Sequence, residues 1–439
     1  MRNILLFAFV VITSFLNAQH TISGTFSPAK DFTWVIAYQI KPGTQAYIAD
    51  TAVEDGRFTL QIPANAPSGT YRLVYAVPQE EFYFDVIYNG KENVQLAFDA
   101  RQGISFMSSE ENKIFHSYFK EVTGVKQEFM DFYSSGNSDK EVYGKLTEKL
   151  EAVQTSYEQG TEGMIVHNFV KANRPYIPTE YETTESYWQH KKENFFEYLD
   201  VKNTVLQASG FLTEKLTSYV FTPVSAEKVS KAATERTLQE NIKTVHGQLK
   251  ETAPLYQMHV FHTLWNKATS NGFDDTADFI FTSYLKDLAT ATNNQKIITD
   301  IETNNRLRVG AKAPEITWKD GDATKRLSDL EDAECYVVIF WSSTCSHCLR
   351  ELPPLHKKLA NYKNVKVLAV GLEENESTWK TESAKLSHFE HALALGKWDS
   401  EYVKTYAIQR TPTYYVLDSD KRILATPQSD RSLVEFLNN

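Results

Sequence analysis

A length of 439 residues predicts two or three domains, and 42% apolar with 13% aromatic residues exclude a disordered protein. The formal net charge of −10, with no Lys/Arg cluster to offset it locally, argues against nucleic acid or an anionic membrane surface as a partner.

Met1-Arg2-Asn3 followed by the mostly apolar run Ile4–Leu16 has the architecture of a secretory signal. The run is short for a spanning helix, which needs about 20 residues. Residues 1–18 are read as signal peptide, with cleavage after Ala18, although Leu16 is bulkier than the small residue usual there. No cysteine follows the run to carry a lipid, so the mature protein is expected to be exported, soluble and periplasmic.

Residues 19–105 read as a β-sandwich domain. Thr33–Tyr38, Gly56–Ile62, Tyr71–Tyr75 and Phe82–Tyr88 are short, aromatic and β-branched, and Pro42-Gly43, Asp55-Gly56 and Asn89-Gly90 punctuate them as turns. Core packing accounts for these aromatics better than an exposed ligand platform does.

Residues 106–307 read as an α-helical domain. Ser108 with Glu111 and Ser138 with Glu141 have the spacing of capping boxes. Further helices are expected near 184–200, 226–250, 254–268, 275–292 and 294–306. Tyr187, Trp188, Phe195, Phe196 and Tyr198 are dense enough for a bundle core.

In residues 308–439, Cys335–Trp341 is apolar and β-branched, as in a buried parallel strand. Cys345-Ser346-His347-Cys348 follows and opens a helical stretch, so Cys345 falls at a helix N-terminus. Free N–H groups and the positive end of the helix dipole stabilise a thiolate there. Two intervening residues bring Cys348 back to the same face, and such a pair can cycle between dithiol and the Cys345–Cys348 disulfide. The rival reading, half of a zinc site, needs about four ligands, and no second Cys-x-x-Cys follows. Cys335 is a third cysteine, read as a small buried hydrophobe.

This region resembles the thioredoxin superfamily, and within it the secreted TlpA/ResA-like thiol–disulfide oxidoreductases. The likeness is carried by Phe340-Trp341 before the pair, Pro353 after it, and Arg410-Thr411-Pro412-Thr413 leading into Tyr414–Asp418. Val309–Ile316, at the start, resembles the opening of redoxin-type domains. It implies a multidomain chain ending in an α/β thioredoxin-like fold, with a cis proline at Pro412. Small β-domains and helical regions such as Phe169–Pro178 also resemble those found ahead of these thioredoxins. The likeness further implies Glu351 as a proton shuttle, and Trp341, His347, Thr411 and Pro412 lining the substrate site. An imidazolium at His347 would favour the Cys345 thiolate. Ile339 stands where thioredoxins carry a buried aspartate, and Thr344 where they carry tryptophan.

The expected function is exchange or reduction of disulfides in other proteins, with no cofactor or metal. Outside the cytosol the pair would draw on a membrane thiol reductase or oxidase. Two alternatives stand beside it. A redoxin-type peroxidase would need a proline and threonine in a register that Thr344 does not keep. A binding scaffold would leave the intact cysteine pair unexplained.

Overall fold

The structure, a computed structural model, describes residues 20–222 and 229–438. The signal read over 1–18 lies outside the described residues. By its internal contacts the chain divides into two compact units, residues 1–293 and 294–439.

The first unit opens with two four-stranded sheets. Strands β1 (Thr21–Ser27), β4 (Arg57–Gln61), β7 (Val94–Asp99) and β8 (Gly103–Phe106) form one, in the order β4-β1-β7-β8. The other runs β3-β2-β5-β6, from β2 (Trp34–Lys41), β3 (Thr44–Ala52), β5 (Gly69–Val74) and β6 (Tyr83–Tyr88). Only β1 and β7 pair in parallel within these sheets. Alternation fills the space between the sheets: Phe58 and Leu60 of β4, Tyr71 and Leu73 of β5, and Phe84 and Val86 of β6 share one core. The expected Asp55-Gly56 turn has φ of 48° and 74°, and Glu54 and Arg57 exchange backbone hydrogen bonds across it.

Helices follow: α1 (Glu110–Ser134), α2 (Lys140–Gly160), α3 (Val166–Ala172), α4 (Thr184–Glu193), α5 (Thr204–Gln207), α6 (Gly210–Phe221), α7 (Lys231–Leu249), α8 (Pro254–Ser270), α9 (Asp274–Ile280) and α10 (Lys286–Ala291). One π turn, Phe281–Leu285, joins the last two. The caps differ from the sequence reading by one residue. Ser109 and Asp139 cap α1 and α2, while Ser108 is committed to Asn93 and Gln95 of the sandwich. Glu111 caps a different helix: its carboxylate accepts the amides of Ile165 and Val166 at 3.1 and 2.8 Å, at the start of α3. Of the five aromatics expected to form a bundle core, only Tyr187 is fully buried. The helix carrying it ends at Glu193, so Tyr198 lies beyond it, on the surface.

In the second unit, α11 (Gln295–Leu307) precedes the hairpin β9 (Thr317–Asp320) and β10 (Ala323–Arg326). Arg306 of α11 donates to the carbonyl of Thr405 at 3.1 Å. A five-stranded sheet follows, ordered β13-β12-β11-β14-β15. Its strands are β11 (Cys335–Trp341), β12 (Val365–Glu373), β13 (Glu390–Leu395), β14 (Thr413–Asp418) and β15 (Ile423–Ala425). β11, β12 and β13 are parallel, and β14 and β15 antiparallel. Helices α12 (Ser346–Leu359), α13 (Glu376–Ser383), α14 (Glu401–Thr405) and α15 (Asp430–Leu437) complete the unit. The sheet is covered on both faces. Tyr336, Val338 and Phe340 of β11 pack on one side, and Val337, Ile339 and Trp341 share a core with Cys348, Leu352 and Leu355 of α12 on the other. Among the described residues, no helix is long and apolar enough to cross a membrane.

Candidate active site

Strand β11 delivers the chain to the start of α12, and Cys345 is the N-cap of that helix. Its sulfur accepts the amide of Cys348 at 3.4 Å, and its thiol donates to the carbonyl of Thr411, also at 3.4 Å. Burial pushes the Cys345 thiol up. Hydrogen bonds from the Thr411 side chain, from the Cys348 amide and thiol, and from the His347 amide outweigh this and hold it below the usual thiol value. Cys348 is the opposite case. It is fully buried, and burial together with the hydrogen bond to Cys345 pushes it up to about 12. Both stand as free thiols. The pair is therefore asymmetric: one half-exposed sulfur that ionises readily, one hidden sulfur that does not.

The segment before Cys345 is tied from an adjacent strand. Glu373, the last residue of β12, is 3% exposed. Its carboxylate accepts the Ser343 amide at 2.5 Å and the Ser342 hydroxyl at 3.3 Å. Lys397 donates to the Thr344 hydroxyl at 3.4 Å. Behind the pair, the Tyr414 hydroxyl is buried without a hydrogen-bond partner. Burial raises its pKa most, and the negative charges of Glu351, Asp430 and the two cysteines raise it further. Tyr414 thus stands in the field of both sulfurs and of Glu351.

Other expected site residues are distributed unevenly. The Thr411–Pro412 peptide is cis, and both residues are half-buried beside Cys345. The Glu351 side chain is 27% exposed, with Oε1 3.6 Å from the Arg350 guanidinium and 3.9 Å from the His347 ring. His347 is mostly exposed, and its Nδ1 accepts from Arg350 at 2.6 Å, a contact that requires a neutral ring. The imidazolium role therefore needs this contact to break; in the structure the backbone amide of His347, rather than its ring, acts on Cys345. Trp341 needs correction as a substrate contact. It is 1% exposed, because the alternation of β11 turns it into the core beneath α12 with Ile339. Cys335 is half-buried at the far end of β11, and burial together with Asp418 raises it to about 11. Among the described residues, no three His, Cys, Asp or Glu side chains gather closely enough to hold a metal.

Residues 309–426 match the model of the AhpC/TSA family. The C-terminal unit carries a thioredoxin-like domain. Over 137 residues the chain is 24% identical to the thiol-disulfide oxidoreductase ResA of Bacillus thuringiensis subsp. konkukian, covering 30% of this chain and 78% of the relative. It is 31% identical over 106 residues to ResA of Oceanobacillus iheyensis, covering 22% of this chain and 55% of that one. A solved domain of a possible thiol-disulfide isomerase from Cytophaga hutchinsonii shares 29% identity, with a TM-score of 0.27, over 30% of this chain and 92% of that domain.

Two residues of this thioredoxin-like domain escaped the sequence reading. Tyr414 was visible only as part of a strand following the proline loop. Glu373 directly follows the mostly apolar run Val365–Leu372, and a charge closing such a run was the available signal.

Proposed function

We propose that this chain is an exported thiol–disulfide oxidoreductase that exchanges disulfides with other proteins through Cys345 and Cys348. The observation that carries this reading is the asymmetry of the pair: a half-buried, readily ionised sulfur at a helix N-terminus beside a fully buried thiol held protonated.

In the reducing direction the Cys345 thiolate attacks one sulfur of a substrate disulfide. That S–S bond breaks, a Cys345–substrate disulfide forms, and the departing sulfur takes up a proton. Cys348 then gives its proton to Glu351 and attacks the Cys345 sulfur. The second substrate sulfur leaves and is protonated, so the substrate gains two electrons and two protons while the Cys345–Cys348 disulfide forms. An extended substrate segment lies along Thr411 and Pro412. A membrane dithiol partner resets the pair, and the oxidising direction is the same sequence reversed. Resemblance to ResA favours the reducing one. The remainder of residues 19–306 contains no cysteine and serves recognition rather than electron transfer.

Trapping tests the assignment. Cys348→Ala should accumulate a mixed disulfide between Cys345 and substrate, because the resolving thiol is gone. Accumulation through Cys348 in Cys345→Ala, with none in Cys348→Ala, would reverse the roles.

A further inference from the structure

The first unit holds a cavity of about 400 Å³ where the β5–β6 edge meets α1, α3 and α6. Part of its wall is a closed ring of four phenylalanines. Phe115 and Phe119 lie 4.6 Å apart, Phe119 and Phe211 6.0 Å, Phe211 and Phe169 5.6 Å, and Phe169 and Phe115 5.5 Å. The last three contacts are edge-to-face, and the Lys215 ammonium lies 5.5 Å from the centre of the Phe211 ring.

The polar lining follows from strand alternation. Tyr71, Leu73, Phe84 and Val86 fill the sandwich interior, so Thr70, Arg72 and Asp85 stand on the outer face. Arg72 donates to both oxygens of Asp85, at 2.8 and 2.9 Å, and its guanidinium lies 3.6 Å from the centre of the Tyr83 ring. That pair is internally neutral. Gly210 lets α6 begin directly against it: a Cβ there would sit 3.3 Å from Arg72 and 3.4 Å from Asp85. One turn on, Glu214 brings a further carboxylate to the cavity, with Arg72 already committed to Asp85. Burial, then the charge of Asp85, raises the Glu214 carboxyl, and Arg72 opposes this only in part. Thr70 also lines the cavity. It is 5% exposed, and its hydroxyl has no hydrogen-bond partner. A buried hydroxyl left unsatisfied is costly unless something else pairs with it.

We propose that this cavity binds a small organic monocation with an aromatic or branched aliphatic body, its ammonium on Glu214, its body against the phenylalanine ring and a polar atom on Thr70. The size and the apolar wall with few convergent polar groups are those of a ligand site. The charge inventory selects the sign: the Arg72–Asp85 pair cancels and leaves the Glu214 carboxylate, with His116 the other titratable group in the wall. Aromatic faces add to the attraction for a cation.

Phenethylammonium is the probe, with 3-phenylpropionate and 2-phenylethanol as anionic and neutral comparators of the same shape, titrated calorimetrically into the full-length protein. Saturable 1:1 binding of the amine is expected, with the comparators at least about tenfold weaker. Glu214→Gln removes the charge at nearly constant side-chain size and should weaken the amine by about tenfold, with an unchanged far-ultraviolet dichroism spectrum. Thr70→Val should leave phenethylammonium unchanged, since that probe has no second polar atom, and should weaken 4-hydroxyphenethylammonium by a few-fold. Absence of saturable binding, equal affinity for the three probes, or undiminished amine affinity in a folded Glu214→Gln protein would overturn the proposal.

Discussion

Glu373 accepts the amide of Ser343 at 2.5 Å, and that amide lies two residues ahead of Cys345. A carboxylate buried to 3% exposure thereby sets the segment from which the redox helix starts. Glu373→Ala would leave the Ser343 amide buried and unpartnered, a loss of about 1–3 kcal/mol. Glu373→Gln keeps an acceptor and should lose less. Denaturant titration ranks the two variants, and an alanine variant as stable as the parent would show that the contact holds nothing in place.

The two cysteines should separate in alkylation. Cys345 should react with iodoacetamide with a midpoint below that of an ordinary thiol, while Cys348 stays unreactive in the folded protein. Equal rates for the two at pH 7 would remove the asymmetry on which the assignment stands.

Linkage to stability follows with opposite signs. The raised pKa of Cys348 contributes stability that is fully present below its ordinary value of 9.0 and lost as pH rises through about 12. The lowered pKa of Cys345 contributes stability present above 9.0 and lost as pH falls through its folded value. The oxidised protein has neither thiol. The stability of the reduced relative to the oxidised form should therefore fall between about pH 9 and 12, measured by urea unfolding of both forms. A flat difference across that window would contradict the burial of the Cys348 thiol.

Glu351→Gln should slow resolution of the mixed disulfide without unfolding the domain. Unchanged rates from about pH 6 to 9 would reduce Glu351 to a helix-terminus charge. Tyr414→Phe separates a structural from a chemical role for the neighbouring hydroxyl. Removing an unpartnered buried hydroxyl should leave stability equal or higher. A fall in rate at unchanged stability would then place that hydroxyl on the proton path.

A fragment of residues 294–439, which includes α11, should fold and reduce insulin at close to the full-length rate. Activity towards the native partner should fall, because orienting contacts are lost. A folded fragment inert towards insulin would mean that the first unit completes the site.

What could be read from the sequence was local. The Cys-x-x-Cys spacing, the apolar strand before it and the cap position of Cys345 all lie within Cys335–Leu352, and short-range periodicity fixes them. Glu373 and Ser343 are thirty residues apart and meet only because β11 and β12 pair in parallel, with Trp341 opposite Gly371. Topology of that kind has no short-range signature. Trp341 was misplaced for a different reason: the aromatic pair was matched as a motif, while counting by twos from Ile339 sends its side chain inward. The α1 and α2 caps slipped by one because Ser108 and Ser138 stand beside Ser109 and Asp139, which serve equally well.

Cys335 opens the same strand that ends at Trp341, six residues and about 20 Å from it. With a pKa raised to about 11, only about one molecule in ten thousand carries its thiolate at neutral pH. Thiol exchange proceeds through the thiolate, so this third sulfur is a very poor competitor for a passing disulfide even when one reaches it. Ionisation thus adds to distance as a filter, and a protein with three cysteines can present a single reactive sulfur to a substrate disulfide.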